Sequence, residues 1–335
     1  MDLFKRLLLI LIVLFGLMAA VPDKTTTIFV IGDSTAANKD ISGGKQERGW
    51  AMALQCYFDD NILVDNHAVN GRSSKSFIDE GRWDKVLSRI KPGDYVIIQF
   101  GHNDEKSQPE RHTDPGSTFD YNLARFVRET REHGGIPILM NSVVRRNFLH
   151  KAPVISDDEM LRNTTFSDGA NTIEGDSLVD THGLYRIVPR DVAQRMNCHF
   201  IDANRITHDL EQSLGTEGSK ALHMWFMPDT EPSEPKGKQD NTHYNIHGAH
   251  TVARLLADAI CDSIPVLRGF RTEADITVDS LGRGQFLSLS DAIPVAQASS
   301  KTETIIQIFG GEWERPHLPK NTCIRFILRQ GATWK

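Results

Sequence analysis

The sequence predicts an α/β domain in three layers, a parallel sheet with helices on both faces, over about residues 26–265. Two observations carry this. Short apolar runs alternate with segments of helical spacing, the order that builds a parallel sheet. The strongest runs, IFVI at 28–31 and YVIIQF at 95–100, are apolar at successive positions but for Gln99, as in strands covered on both faces.

The elements follow in order. A first strand is predicted over 27–31. A helix is predicted over 50–58, where Trp50, Ala53, Leu54, Tyr57 and Phe58 recur at helical spacing. A short strand over 62–66 and a helix over 83–90 lead to a strand over 95–100, bounded by Pro92-Gly93 and Gly101. A helix over 121–133 has an arginine-rich outer face and is closed by Gly134-Gly135. Strands over 136–140 and 200–202 and an amphipathic helix over 251–260 (TVARLLADAI) complete the domain. The stretch 145–190 exceeds an ordinary connection and is expected to cross over the functional edge of the sheet. Residues 228–241, with Pro228, Pro232 and Pro235, are predicted to be a loop, and Asn163-Thr164-Thr165 is a glycosylation sequon.

Bulk properties narrow the function. The 335 residues carry 38 basic against 44 acidic side chains, a net charge of −6, with no basic block to form a nucleic-acid footprint. Lys5 and Arg6 precede an apolar run from Leu7 to Met18, and Ala19-Ala20 follow. This is the layout of a signal peptide over 1–20, implying secretion or export to a periplasm, with no stable membrane partner after cleavage. The run is shorter than the roughly 18–20 apolar residues of a membrane span. An uncleaved anchor is the alternative. Cys56, Cys198, Cys261 and Cys323 lack metal-ligand spacing and are expected to be buried free thiols.

Four short blocks carry the chemistry: Gly32-Asp33-Ser34-Thr35, Asn70-Gly71-Arg72-Ser73-Ser74, Gly101-His102-Asn103-Asp104, and Asp240-Asn241-Thr242-His243. The first three follow predicted strands, so they would share the carboxyl edge of the sheet, where such sheets bind ligands. Acyl transfer needs an activated hydroxyl, a base, a group that orients the base, and donors for the oxyanion. Ser34 suits the first role and His243 the second. Asp240, three residues before His243, could orient it from one tight turn ahead of the last helix. Taken singly, Ser34 could cap a helix, Asn103 could serve a turn and Asp240 could be a solvated loop acid. Four such blocks in order on one edge argue against coincidence.

In these blocks and their order the chain resembles the SGNH (GDSL-type) hydrolase superfamily, and its GRSS and GHND forms resemble rhamnogalacturonan acetylesterases. The resemblance spans about 26–265 and implies the flavodoxin-like sheet of that fold. It implies catalysis by Ser34, His243 and Asp240, an oxyanion hole from the Ser34 and Gly71 amides and the Asn103 side chain, and no metal or organic cofactor. The implied function is a secreted serine esterase removing O-acetyl groups from a pectic polysaccharide, its partner. Another ester (acetylxylan, lipid or thioester) and a non-catalytic carbohydrate-binding remnant are the alternatives. Arg145 and Arg146, at the end of the 136–140 strand, are candidates for gripping galacturonate carboxylates. Asp180-Thr181-His182 is a second acid–histidine pair, with spacing one residue short of Asp240–His243, and His182 is assigned to structure or substrate binding. His243, His247 and His250 could share a helix face as metal ligands would, but His243 is expected before the helix and no carboxylate or thiol completes a set.

Residues 272–335 read differently. The Gly282/Gly284 pair, Phe286, Leu289 to Ile293 and a strand over 305–309 resemble the opening of a pectin methylesterase domain, a right-handed parallel β-helix. That family's catalytic residues belong to later coils, so no separate esterase activity is implied. Stacked coils need several repeats to bury a core, so this tail is expected to be partly disordered or loosely docked.

Overall fold

The computed structural model describes residues 25–149, 175–319, 322–329 and 331–335; the predicted signal segment, the Asn163 sequon and the middle of the 145–190 excursion lie outside them. Five parallel strands form the central sheet: β1 (Thr26–Gly32), β2 (Ile62–Asn66), β3 (Tyr95–Gln99), β4 (Ile136–Met140) and β5 (His199–Ile201). Their spatial order is β2-β1-β3-β4-β5, the flavodoxin-like order. The chain leaves β1 to one side and returns to build β3 on the other. That switch point opens a crevice beyond the carboxyl ends of β1 and β3.

The alternation of side chains along β1 divides the interior in two. Ile28 and Val30 pack with Trp50, Leu54, Ile97 and Leu256, whereas Phe29 and Ile31 pack with Phe77, Trp83, Val96 and Phe126. Neither face of β1 meets water, which explains its unbroken apolar run. The covering helices are α1 (Trp50–Leu54, continued by a 3₁₀ turn at Gln55–Tyr57), α2 (Ser74–Asp79), α3 (Arg82–Leu87), α4 (Thr118–Glu132), α5 (Leu184–Arg195), α6 (Ala203–Gly218) and α7 (Ile246–Ser263). In α4, Phe119, Leu123, Phe126 and Val127 recur on one buried face, and Arg125 pairs with Glu129 at 2.8 Å one turn on.

Several features depart from the sequence reading. Helix α6 carries no clear apolar stripe because it buries Asn204, Thr207 and Glu211. Residues 228–241 are not simply a loop: β6 (His223–Phe226) and β7 (Lys238–Asn245) pair antiparallel, with a bulge between Gln239 and Tyr244. Helix α7 begins at Ile246 rather than near 251, capped by the Asn245 side chain on the Gly248 amide at 2.9 Å. Glycine is needed there, because a Cβ at Gly248 would lie 1.9 Å from the Leu222 carbonyl oxygen. All four cysteines are free; Cys56 and Cys261 are buried and Cys198 is partly buried, but Cys323 is exposed, contrary to expectation. Burial pushes the Cys56 thiol up to about 12, which keeps it protonated and unreactive.

The tail is not loosely docked. Strands β8 (Ile276–Asp279), β9 (Thr304–Phe309) and β10 (Ile324–Leu328) form a parallel sheet, and helix α8 (Leu289–Gln297) packs against it. Its core is small, centred on Ile276, Val278, Leu289, Ile306 and Ile308. Polar contacts add to it at the junction with the larger domain. The Arg329 guanidinium donates to the Phe58 carbonyl (2.6 Å), Asp60 Oδ1 (3.0 Å) and Gln307 Oε1 (2.8 Å). Arg48 reaches the Gly282 carbonyl at 3.0 Å, and the Asp59 amide bonds the Phe270 carbonyl at 2.8 Å. Removing Arg329 leaves two buried acceptors without their donor. Arg329→Ala is therefore expected to lower stability by about 2–3 kcal/mol in urea unfolding and to expose the tail to proteolysis before the α/β domain.

Candidate active site

Strand β1 ends in a turn built by its own side chains. Asp33 is fully buried, and its Oδ1 accepts from the Thr35 amide (2.9 Å) and hydroxyl (2.8 Å), while its carbonyl accepts from the Ala36 and Ala37 amides. Burial, the largest influence, leaves the Asp33 carboxyl raised despite the two Thr35 hydrogen bonds. No helix follows, so Ser34 caps nothing. Its backbone is held and its side chain is left half-buried at the crevice.

The bulge in β7 supplies the partner. Asp240 Oδ1 accepts from the amides of Thr242 (2.8 Å) and His243 (2.9 Å), a local turn set inside a strand. Asp240 Oδ2 lies 2.8 Å from His243 Nδ1, and His243 Nε2 lies 2.8 Å from Ser34 Oγ. With Nδ1–H donating to Asp240, Nε2 presents its lone pair to the serine hydroxyl. Burial pushes the Asp240 carboxyl upward, but the hydrogen bonds and charge from His243 and the Thr242 amide outweigh it and hold it well below the usual carboxylate range. This line of atoms can take a proton from Oγ and hold the resulting imidazolium against a carboxylate.

Gly71 and Asn103 stand beyond the carboxyl ends of β2 and β3, on either side of β1. Gly71 has φ +73°, a left-handed conformation that suits glycine. Asn103 is buried; its Nδ2 donates to the Arg72 carbonyl at 3.1 Å and its Oδ1 accepts from Arg111 Nη1 at 3.4 Å. These contacts orient the amide and leave it a second N–H. Asp104 ties two of the sequence blocks together. It accepts from the Ser74 hydroxyl (2.5 Å) and amide (3.1 Å) and from the Thr113 hydroxyl (2.9 Å). Burial raises its carboxyl to about 7, against these hydrogen bonds.

Two expected substrate contacts, Arg145 and Arg146, are corrected, and of the two roles left open for His182 the structure favours the structural one. Arg146 is fully buried: Nε donates to Ser219 Oγ (2.8 Å), Nη1 to Asn241 Oδ1 (3.0 Å) and Nη2 to the Thr216 carbonyl, and its amide bonds the Asn241 carbonyl (2.9 Å). It braces the Asp240–His243 segment from behind. Arg145 is committed to Glu105 at 2.5 Å and to Thr181 Oγ1 at 2.9 Å, with 12% of its side chain exposed. His182 is buried with both ring nitrogens engaged, Nδ1 by Asp180 (2.8 Å) and Nε2 by His102 Nδ1 (2.9 Å). Burial, then the neighbouring His182, holds the His102 imidazole well below its ordinary value, so it is neutral. His247 is exposed and His250 is buried against the Tyr57 hydroxyl, so neither joins His243. Among the described residues no group of three or more His, Cys, Asp or Glu is placed to hold a metal.

Arg111 escaped the sequence reading. It sits in SQPERHTDPGS, a polar connection with no periodicity or motif, and only the fold brings it beside Gly71 and Asn103. The bracing by Arg146 carries an expectation of its own. Arg146→Met, which keeps much of the volume but none of the donors, should cost about 2–4 kcal/mol in unfolding experiments and slow fluorophosphonate labelling of Ser34 at least about 10-fold.

The model of the GDSL-like lipase/acylhydrolase family matches residues 30–250, a span that contains Ser34, Gly71, Asn103, Asp240 and His243. The chain is 35% identical over 237 residues to the rhamnogalacturonan acetylesterase RhgT of Bacillus subtilis, covering 71% of this chain and 90% of that protein. It is 26% identical over 263 residues to a rhamnogalacturonan acetylesterase of Emericella nidulans, covering 76% and 93%. The crystal structure of YxiM from Bacillus subtilis superposes with a TM-score of 0.54 at 25% identity, over 71% of this chain and 56% of that one. With the five-stranded parallel sheet and the serine at the end of its first strand, these matches place the chain in the GDSL-like lipase/acylhydrolase family.

Proposed function

We propose that this protein is a secreted serine acetylesterase that removes O-acetyl groups from a pectic polysaccharide, rhamnogalacturonan. The observation that carries the esterase reading is the line Ser34–His243–Asp240, with both links at 2.8 Å. The names of the two rhamnogalacturonan acetylesterase relatives support the substrate. The leader-like segment at 1–20 supports export. The parallel pairing of β8, β9 and β10 supports reading the tail as the start of a β-helix.

In the mechanism, Ser34 Oγ attacks the acetyl carbonyl carbon as its proton passes to His243 Nε2. The carbonyl electrons move onto oxygen, and that oxyanion is met by the Ser34 and Gly71 amides and the free N–H of Asn103. Asp240 stays ionised and steadies the imidazolium. The C–O bond to the sugar then breaks, and His243 returns the proton to the sugar oxygen. Water, deprotonated by His243, attacks the acetyl-enzyme, and collapse releases acetate and restores the Ser34 hydroxyl.

Ser34→Ala is expected to abolish acetate release and fluorophosphonate labelling while leaving the urea midpoint close to wild type. Asp240→Asn should retain the fold and lower kcat on the order of 1000- to 10,000-fold, because the imidazole loses its orienting charge. Acetate release from acetylated rhamnogalacturonan, acetylated xylan and a lipid ester tests the substrate; faster turnover of either of the last two overturns the pectic reading.

A further inference from the structure

We propose that Arg111 is the residue that binds carboxylate in this active site, gripping a uronate of the acetylated chain; this rests on the reading of the protein as a pectic acetylesterase. The role had been expected of Arg145 and Arg146, and the structure closes both to it. The first is spent on Glu105, and the second is enclosed behind Asn241. Other cations of the surrounding loops are also occupied. Arg72 pairs with Glu80 at 3.1 Å, Lys39 with Glu47 at 2.7 Å, and Lys238 with Glu47 and Glu234 at 3.5 and 3.6 Å.

Arg111 differs from them. No carboxylate lies within ion-pair distance of it among the described residues, although it is only partly exposed. Its Nη1 is the nearest atom, at 4.0 Å, to where a Cβ on Gly71 would stand, and the same nitrogen donates to Asn103 Oδ1. The guanidinium therefore lies over the two residues assigned to the oxyanion. Nη1 is the nitrogen facing Asn103, and among the described residues Nε and Nη2 carry no hydrogen bond. Nε and Nη2 form the edge of a guanidinium that takes both oxygens of a carboxylate at once. A half-buried cation with no carboxylate partner among the described residues is costly to keep, and a ligand carboxylate would offset that cost.

The ligand chemistry follows. A galacturonate unit carries its carboxylate on the same ring as its acetylated hydroxyls, so a sugar whose acetyl carbonyl meets Ser34 holds an anion within the same small volume. Acetylated xylose units and simple acyl esters bring no such charge. Arg111 thus selects among esters that the Ser34 chemistry would otherwise accept, in addition to the contact by which it helps orient the Asn103 amide.

The test compares acetylated rhamnogalacturonan oligosaccharides with the same oligosaccharides after methyl esterification of their uronates. For the wild type, esterification is expected to lower kcat/KM for acetate release about 10- to 100-fold, mostly through KM. For Arg111→Gln, esterification should change kcat/KM by less than about 3-fold. Arg111→Lys, which keeps the charge without the fork, should fall between. Because each variant is compared with itself on two substrates, a partly unfolded preparation does not distort the ratio. A wild type indifferent to esterification, or an Arg111→Gln variant as sensitive to it as the wild type, overturns the assignment of Arg111 alone. A wild type that fluorophosphonate labels at Ser34 but that releases no acetate from either form overturns the pectic reading and this inference with it.

Discussion

The hydrogen bond between Ser34 Oγ and His243 Nε2 joins residues 209 positions apart, and the surrounding architecture serves to hold its two ends. On one side is a strand buried on both faces, whose terminal turn is locked by Asp33. On the other is a bulged strand, whose register shift between Gln239 and Tyr244 leaves Asp240 and His243 in line with Ser34. A hydrogen bond of this kind contributes only about 1 kcal/mol to folding, so it cannot position the elements itself. The sheet, the Arg146 brace and the cap at Asn245 do that. The Ser34–His243–Asp240 geometry is a consequence of packing decided elsewhere.

Around this line the polar groups divide by function. Asp104, Ser74 and Thr113 fasten the loop after β3 to the start of α2, which places Asn103 beside Gly71. Asp180, His182 and His102 form a second buried carboxylate–imidazole line on the far side of the same loop. That line has the components of a catalytic relay but ends on a neutral imidazole rather than a nucleophile. Asn204 fixes Asp180 further, at 2.8 Å, so the group is a brace for the Gly101–Asp104 turn. The two carboxylate–imidazole lines differ in burial. Asp180 and His182 are sealed, whereas 22% and 27% of the Asp240 and His243 side chains remain open to the crevice.

The tail illustrates a different balance. Its own core is too small to offset the conformational entropy of about sixty residues, at roughly 1–2 kcal/mol each for the backbone. Its order draws on the larger domain, through Arg329 on the Phe58 carbonyl and Arg48 on the Gly282 carbonyl. Gly282, with φ +81°, turns the chain so closely that a Cβ there would meet Ile41 at 2.6 Å. The expectation of a loose tail weighed the stacked strands alone and took no account of a neighbouring surface shaped to receive them.

Local chemistry was enough to find the strands of the central sheet, because each is an apolar run whose cause lies in its own residues. It was also enough to find the four blocks that bear Ser34, Gly71, Asn103, Asp240 and His243, since their residue types and spacing are local properties. Helix α6 and strand β7 were hidden because their polar residues are satisfied by distant partners, as Glu211 is by His223 at 2.9 Å, and such partners leave no periodicity behind. The arginines make the division plainest. In the sequence, position at the end of a strand favoured Arg145 and Arg146, and no local feature pointed to Arg111. Whether a guanidinium is free depends on which carboxylates and carbonyls the fold brings within a few ångströms of it, and that is decided only when the tertiary structure is complete.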